Sequence, residues 1–245
     1  MKAKWLPAIV TPAALALGIV TAAPGAATTR STVNSPNWAG YEAANTSGGS
    51  FQYVQATFTV PSLNCTQTPT ASVAQFVALS SNYAGSLSFN NAGVVRESCQ
   101  NGTPAYEADW ASGCNGHGDT LPLTISPGDA VELSINGGAA ITAFNLTTGA
   151  SARSDFSTTC GPNLGAEVFT STNGSAAVAD FAQVGFHQIQ VEASGQSTPK
   201  PLVSPGWSVN HYNLRGPSGR ADVKPEALLS GKFTSSFVND WYFPN

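Results

Sequence analysis

From Trp38 onward, apolar and polar residues alternate in short runs that Gly, Pro, Asn or Asp break at close intervals. In Val54-Gln55-Ala56-Thr57-Phe58-Thr59-Val60 the alternation has no fault, and Pro61 stops it. That is the pattern of an antiparallel strand with one face in a core. Residues 74–79 and 130–135 are more continuous apolar strands, and Asn136-Gly137-Gly138 joins the second of them to residues 140–146 as a hairpin. Residues 104–110, 166–170, 181–191, 207–214 and 233–241 also read as strands, and 197–205 as a long Pro-rich loop. Only residues 225–229 offer a turn of helix. Many short strands with almost no helix predict an all-β fold, an antiparallel two-sheet β-sandwich.

The first residues break this pattern. Lys2 and Lys4 precede an apolar run over residues 6–20, and small residues follow in Thr21-Ala22-Ala23 and Gly25-Ala26-Ala27. This predicts a secretory signal peptide over residues 1–27. Pro7 and Pro12 interrupt the run, which is shorter than the ~20 apolar residues of a membrane span, so no membrane association is expected after cleavage. Residues 28–36 read as a flexible leader or short pro-segment, and 37–245 as a single, monomeric domain.

Charged residues make up only 10% of the chain, with net charge -4, and Gly, Ser, Thr and Asn take their place on the surface. Such a surface suits a secreted, extracellular protein and tolerates acid, because few carboxylates are neutralised as pH falls. No basic patch is present to meet phosphates, which excludes nucleic acid as a partner. Cys65, Cys99, Cys114 and Cys160 are an even set in an exported chain and imply two disulfides. Three pairings are open; Cys65 with Cys99 and Cys114 with Cys160 is the favoured one.

The usual constellations of catalytic chemistry are missing. There is no Gly-x-Ser-x-Gly elbow, and His117, His187 and His211 lie in no metal-ligand spacing, so no metal site is expected. Carboxylates remain. In Gly165-Ala166-Glu167-Val168-Phe169 a lone charge sits in an apolar strand and shares a face with Phe169. A carboxylate desolvated in such a setting is a candidate general base. Glu107 and Asp109, two apart on a strand, share another face.

Several stretches resemble, in order, the landmarks of the glutamic peptidases, or eqolisins. They are Asn37-Trp38-Ala39-Gly40-Tyr41, Thr57-Phe58-Thr59-Val60-Pro61, Cys99-Gln100-Asn101-Gly102-Thr103-Pro104, Ser126-Pro127-Gly128-Asp129 and Asn145-Leu146-Thr147-Thr148-Gly149. Ala166-Glu167-Val168 is similar to the family's Ala-Glu-Trp, and residues 179–186 and 231–241 to the strands that follow it. The resemblance runs from Asn37 to Trp241. It implies a concanavalin A-like sandwich and a secreted acid endopeptidase acting on polypeptide substrates without metal or cofactor. In that family a Glu is general base toward water and a Gln amide stabilises the oxyanion. The Glu maps to Glu167. The Gln, two residues before a Gly, maps to Asn91 in Phe89-Asn90-Asn91-Ala92-Gly93, an amide one methylene shorter. Trp38, Phe76, Asp109 and Trp110 fall at positions expected to contact substrate. Phe76-Val77-Ala78-Leu79-Ser80 lacks both the Trp and the Asp of the family's Trp-Val-Gly-x-Asp.

These departures define an alternative: a catalytically impaired sandwich that binds extracellular carbohydrate or cell wall, with Trp207, Tyr212, Trp241 and Tyr242 as stacking surfaces.

Overall fold

A computed structural model describes residues 30–45, 49–81, 89–113, 116–137, 140–155, 161–172, 177–216, 221–231 and 234–242. The predicted signal peptide, Cys114 and Cys160 lie outside the described residues.

In chain order the first strands are β1 (Arg30–Ser35), β2 (Trp38–Ala44), β3 (Phe51–Thr59), β4 (Ser72–Ser80), β5 (Phe89–Gln100), β6 (Thr103–Ser112) and β7 (His117–Thr120). They continue with β8 (Ala130–Asn136), β9 (Ala140–Asn145), β10 (Ala150–Asp155), β11 (Gly165–Ser171) and β12 (Gln183–Ala193). The last are β13 (Lys200–Pro201), β14 (Ser208–Arg215), β15 (Ala221–Pro225), β16 (Leu229–Ser230) and β17 (Ser235–Trp241). One layer runs β1-β14-β2-β11-β4-β5-β6-β7. The other runs β10-β9-β8-β3-β12-β17, and β15 bonds to both β14 and β17, joining the layers along one edge. All these strand pairs are antiparallel except β1 with β14. The sandwich expected from the alternation is the fold observed.

The faultless run in β3 shows how pattern becomes packing. Val54, Ala56, Phe58 and Val60 are all buried between the layers. Phe58 meets Phe186 of β12 at 5.5 Å between ring centroids, and Phe186 stacks on Phe237 of β17 at 5.0 Å. In β11 the even residues Ala166 and Val168 join this core. The odd residues Glu167 and Phe169 therefore go to the outer face of the first layer, where Phe76, Ala78, Ala92, Phe169 and Tyr212 make a second, smaller apolar cluster. That second cluster is where the site lies.

Residues 30–35, within the stretch read as a flexible leader or short pro-segment, form strand β1: the edge of β14 offers them a row of backbone partners, and Val33 packs on the outer cluster. One expectation is corrected. Residues 225–229 form no helix. Pro225 closes β15, and the Glu226 amide bonds to the Val238 carbonyl, so the stretch hugs β17.

Cys65 and Cys99 are joined, closing a loop of sequence separation 34. Loop-closure entropy for that length is worth about 4 kcal/mol. Replacing both by Ser is expected to lower the thermal midpoint by roughly 10 °C, which calorimetry would register.

Candidate active site

The register sets one row of side chains on the outer face. β11 lies between β2 and β4, so Glu167 is flanked by Glu42 on one side and Ala78 on the other. Beyond Glu42, β14 contributes Asn210 and β1 Ser31; beyond Ala78, β5 contributes Ala92 and β6 Ala111. The row thus reads Ser31, Asn210, Glu42, Glu167, Ala78, Ala92, Ala111. Its polar half ends at Glu167, and from there it carries only methyl groups.

Glu42 and Glu167 are both fully buried. Directly paired antiparallel residues have Cβ atoms about 4.5–5.5 Å apart, so the two carboxyl groups are neighbours. Asn210 Nδ2 and the Tyr212 hydroxyl both donate to Glu42 Oε2, at 2.9 and 2.8 Å. Oε1 has no hydrogen-bond partner among the described residues. Burial pushes the Glu167 carboxyl above its ordinary range, and the neighbouring charge of Glu42 pushes it further, while a hydrogen bond from Ser80 works the other way. Burial also raises Glu42, and its bonds from Asn210 and Tyr212 oppose the rise. Two like charges this close cannot both ionise cheaply, so protons stay on the pair well above the pH at which a free Glu loses its own.

Gly165 makes the space. A Cβ on it would stand 2.4 Å from Ser80 Oγ, 2.7 Å from Glu42 Oε1 and 3.5 Å from Glu167 Oε1. All three oxygens therefore border one small gap. Gly165→Ala is expected to displace the buried carboxyl groups by about 1 Å and to slow any reaction there by ~100-fold, with a far smaller effect on unfolding. Parallel measurement of turnover and thermal midpoint would separate the two.

The next row along the sheet is aromatic. Phe169 is within 5.0 Å of Tyr212 and 5.6 Å of Phe76 between centroids, and Trp38 meets Phe76 edge-on at 5.2 Å. Gly40 permits this closeness, since a Cβ there would fall 2.7 Å from a Phe169 ring carbon. A groove of about 360 Å³ opens beside this row, with Trp38, Phe76, Phe89, Ala92, Val94 and Arg96 among its lining. A larger cavity of about 670 Å³, beside Tyr41 and His211, contains neither carboxylate.

Of the residues singled out by sequence, Glu167, Trp38 and Phe76 come together on this face. Asp109 shares it three strands from Glu167, ion-paired with Arg96 at 3.1 Å, while Trp110 packs against the inner core. Asn91 does not join Glu167. It pairs with Leu79 and shares a face with Gly93, whose missing Cβ points at Ile141 and Leu133 of the opposite layer. The pairing slips between Leu79 and Ser80, and the residue that faces Glu167's side is Ala92. At that place in the row of Glu167, beyond Ala78, stands a methyl group and not an amide. Glu42 was missed by sequence reasoning; its signal is a single charge inside the apolar run Trp38-Ala39-Gly40-Tyr41-Glu42-Ala43-Ala44.

The sequence profile of the Peptidase A4 family matches residues 36–206, most of the chain and every strand of this site except β1 and β14. The chain belongs to the Peptidase A4 family. Its fold is that of scytalido-glutamic peptidase. A crystal structure of that protein with a peptide-based transition-state analogue aligns at TM-score 0.64 and 19% identity, over 84% of this chain and 98% of that one. A second, with a transition-state analogue inhibitor, gives 0.59 at the same identity and coverage. No curated protein sequence matches significantly.

Proposed function

We propose that this chain is a secreted acid endopeptidase of the glutamic peptidase type. Glu167 is its general base: it takes a proton from the attacking water and returns it to the leaving amine. The observation that carries this reading is the placement of Glu167, buried beside a second carboxyl on the face that also holds the Trp38–Phe76 groove. That groove is lined largely by apolar side chains and suits an apolar side chain of an extended polypeptide. Family membership supports the reaction class. Both carboxyl groups lack exposed surface, so peptide must part their covering before it reaches them.

The experiment is to incubate the folded domain with a denatured protein from pH 2 to 8 and identify new termini by mass spectrometry. Internal cleavage on the acid side is expected, and absence of cleavage at every pH would overturn the reading. The methyl group of Ala92, where an amide donor would serve, favours the second reading, a sandwich that binds glycan without hydrolysis. Trp207 and Tyr212 are buried and unavailable for stacking on sugars, which removes two of that reading's four aromatics.

A further inference from the structure

We propose that Glu42 is a second catalytic carboxyl, and that it supplies the hydrogen-bond donor missing from Ala92's position. This rests on the reading of Glu167 as the general base. A negative charge developing on the carbonyl oxygen needs a preorganised donor, and the methyl half of the row has none to offer. The polar half has one. Asn210 and Tyr212 occupy Glu42 Oε2 as donors, so Oε2 acts as the acceptor oxygen and a proton on Glu42 belongs on Oε1. Oε1 is also the oxygen that borders the gap beside Gly165, which Glu167 Oε1 shares. The fixed orientation of Glu42 thus aims an O–H into the gap that Glu167 shares, where it would meet the oxygen of a carbonyl attacked there, and only if the carboxyl is protonated.

The pair works with one proton between its members. Glu167, ionised, takes a proton from water as the water oxygen bonds to the carbonyl carbon, and Glu42 passes its proton to the carbonyl oxygen, leaving a neutral gem-diol. Glu167 then gives its proton to the amide nitrogen, the C–N bond breaks, and Glu42 takes a proton back from a diol hydroxyl. Water and peptide become acid and amine, and the pair returns to its starting state. No other reactant is consumed. The proton belongs to the pair and not to one residue, so activity depends on two macroscopic ionisations. Too acid, and no base is left; too alkaline, and no donor is left. A lone Glu167 raised by burial would give only the first limb.

The test is the pH–rate profile of the wild type, Glu42→Gln and Glu42→Ala on one denatured substrate, with folding checked by circular dichroism. Gln keeps the bonds to Asn210 and Tyr212 and presents an N–H in place of the O–H, but it cannot titrate. It is expected to stay active and to lose the alkaline limb. Ala removes the donor and is expected to lose about 100 to 1,000-fold. A wild-type profile that is bell-shaped and unchanged in Glu42→Gln would overturn the proposal, as would near-normal activity in Glu42→Ala. Should Ala fail to fold, the Gln profile alone decides. A wild type inactive at every pH would instead defeat the peptidase reading itself, and Glu42's role with it.

Discussion

Glu167→Gln is expected to lower the rate of acid proteolysis by about 100 to 10,000-fold while making the folded chain more stable at neutral pH. The two effects have one cause. Glu167 sits fully buried beside Glu42, so its ionised form is costly and its pKa stands above the ordinary value. Gln fills the same volume, removes the charge that burial opposes, and cannot accept a proton from water. A residue kept only for packing would show no such opposition, since its loss would cost stability and leave chemistry alone. Initial rates on a denatured substrate, beside thermal midpoints at pH 7, measure both effects. A variant with unchanged activity would remove Glu167 from the reaction.

The larger effect on the fold is set by pH. Three carboxyl groups are wholly buried and raised: Glu42, Glu167 and Glu97. Glu97 lies on the inner face, in a polar chain where Gln75 Nε2 approaches it at 3.5 Å, Thr170 Oγ1 donates to Gln75 Oε1 at 2.6 Å, and Asn239 Nδ2 donates to Thr170 Oγ1 at 2.7 Å. Burial is the main reason it stays protonated. Below about pH 4.3 these groups hold protons whether the chain is folded or not. Above it the unfolded chain releases all three, while the folded chain keeps that of Glu97 and at least one of the pair's two, so stability falls with rising pH until the folded-state values are passed. Each retained proton costs about 1.4 kcal/mol per pH unit, against a total stability of roughly 5–15 kcal/mol. The thermal midpoint is therefore expected to be highest near pH 4 and to drop steeply through neutrality. Glu97→Gln should flatten that drop without touching activity, because Glu97 faces away from the reaction site. A midpoint that rises from pH 4 to 7 would contradict the burial of ionisable groups on which the site depends.

Local pattern carried the fold further than it carried the site. The alternation in residues 54–60 and the face shared by Glu167 and Phe169 are period-two statements, true within any one strand. Which strands lie side by side is a long-range fact. Glu42 and Glu167 are 125 positions apart, and nothing in either stretch says that their strands pair in that register. Asn91 shows how little error a site tolerates. Asn91 pairs with Leu79, a core residue, while its neighbour Ala92 pairs with Ala78 in the row of Glu167. A difference of one residue in alignment sends a side chain to the other face, so the amide aligned by motif spacing lies on the core side and Ala92 faces the site. The N-terminal leader became a strand for a related reason: polar residues 30–35 say little about order, and it is the open edge of β14 that recruits them.

On this reading Glu42 and Glu167 are one proton-sharing pair. Site-resolved ¹³C NMR titration of their side-chain carboxyl carbons tests it most directly. Two separated steps are predicted, each seen at both residues and each above the usual value of about 4.3, with Glu42→Gln leaving a single step at lower pH. Two independent titrations near 4.3, the one at Glu167 unmoved by Glu42→Gln, would contradict it.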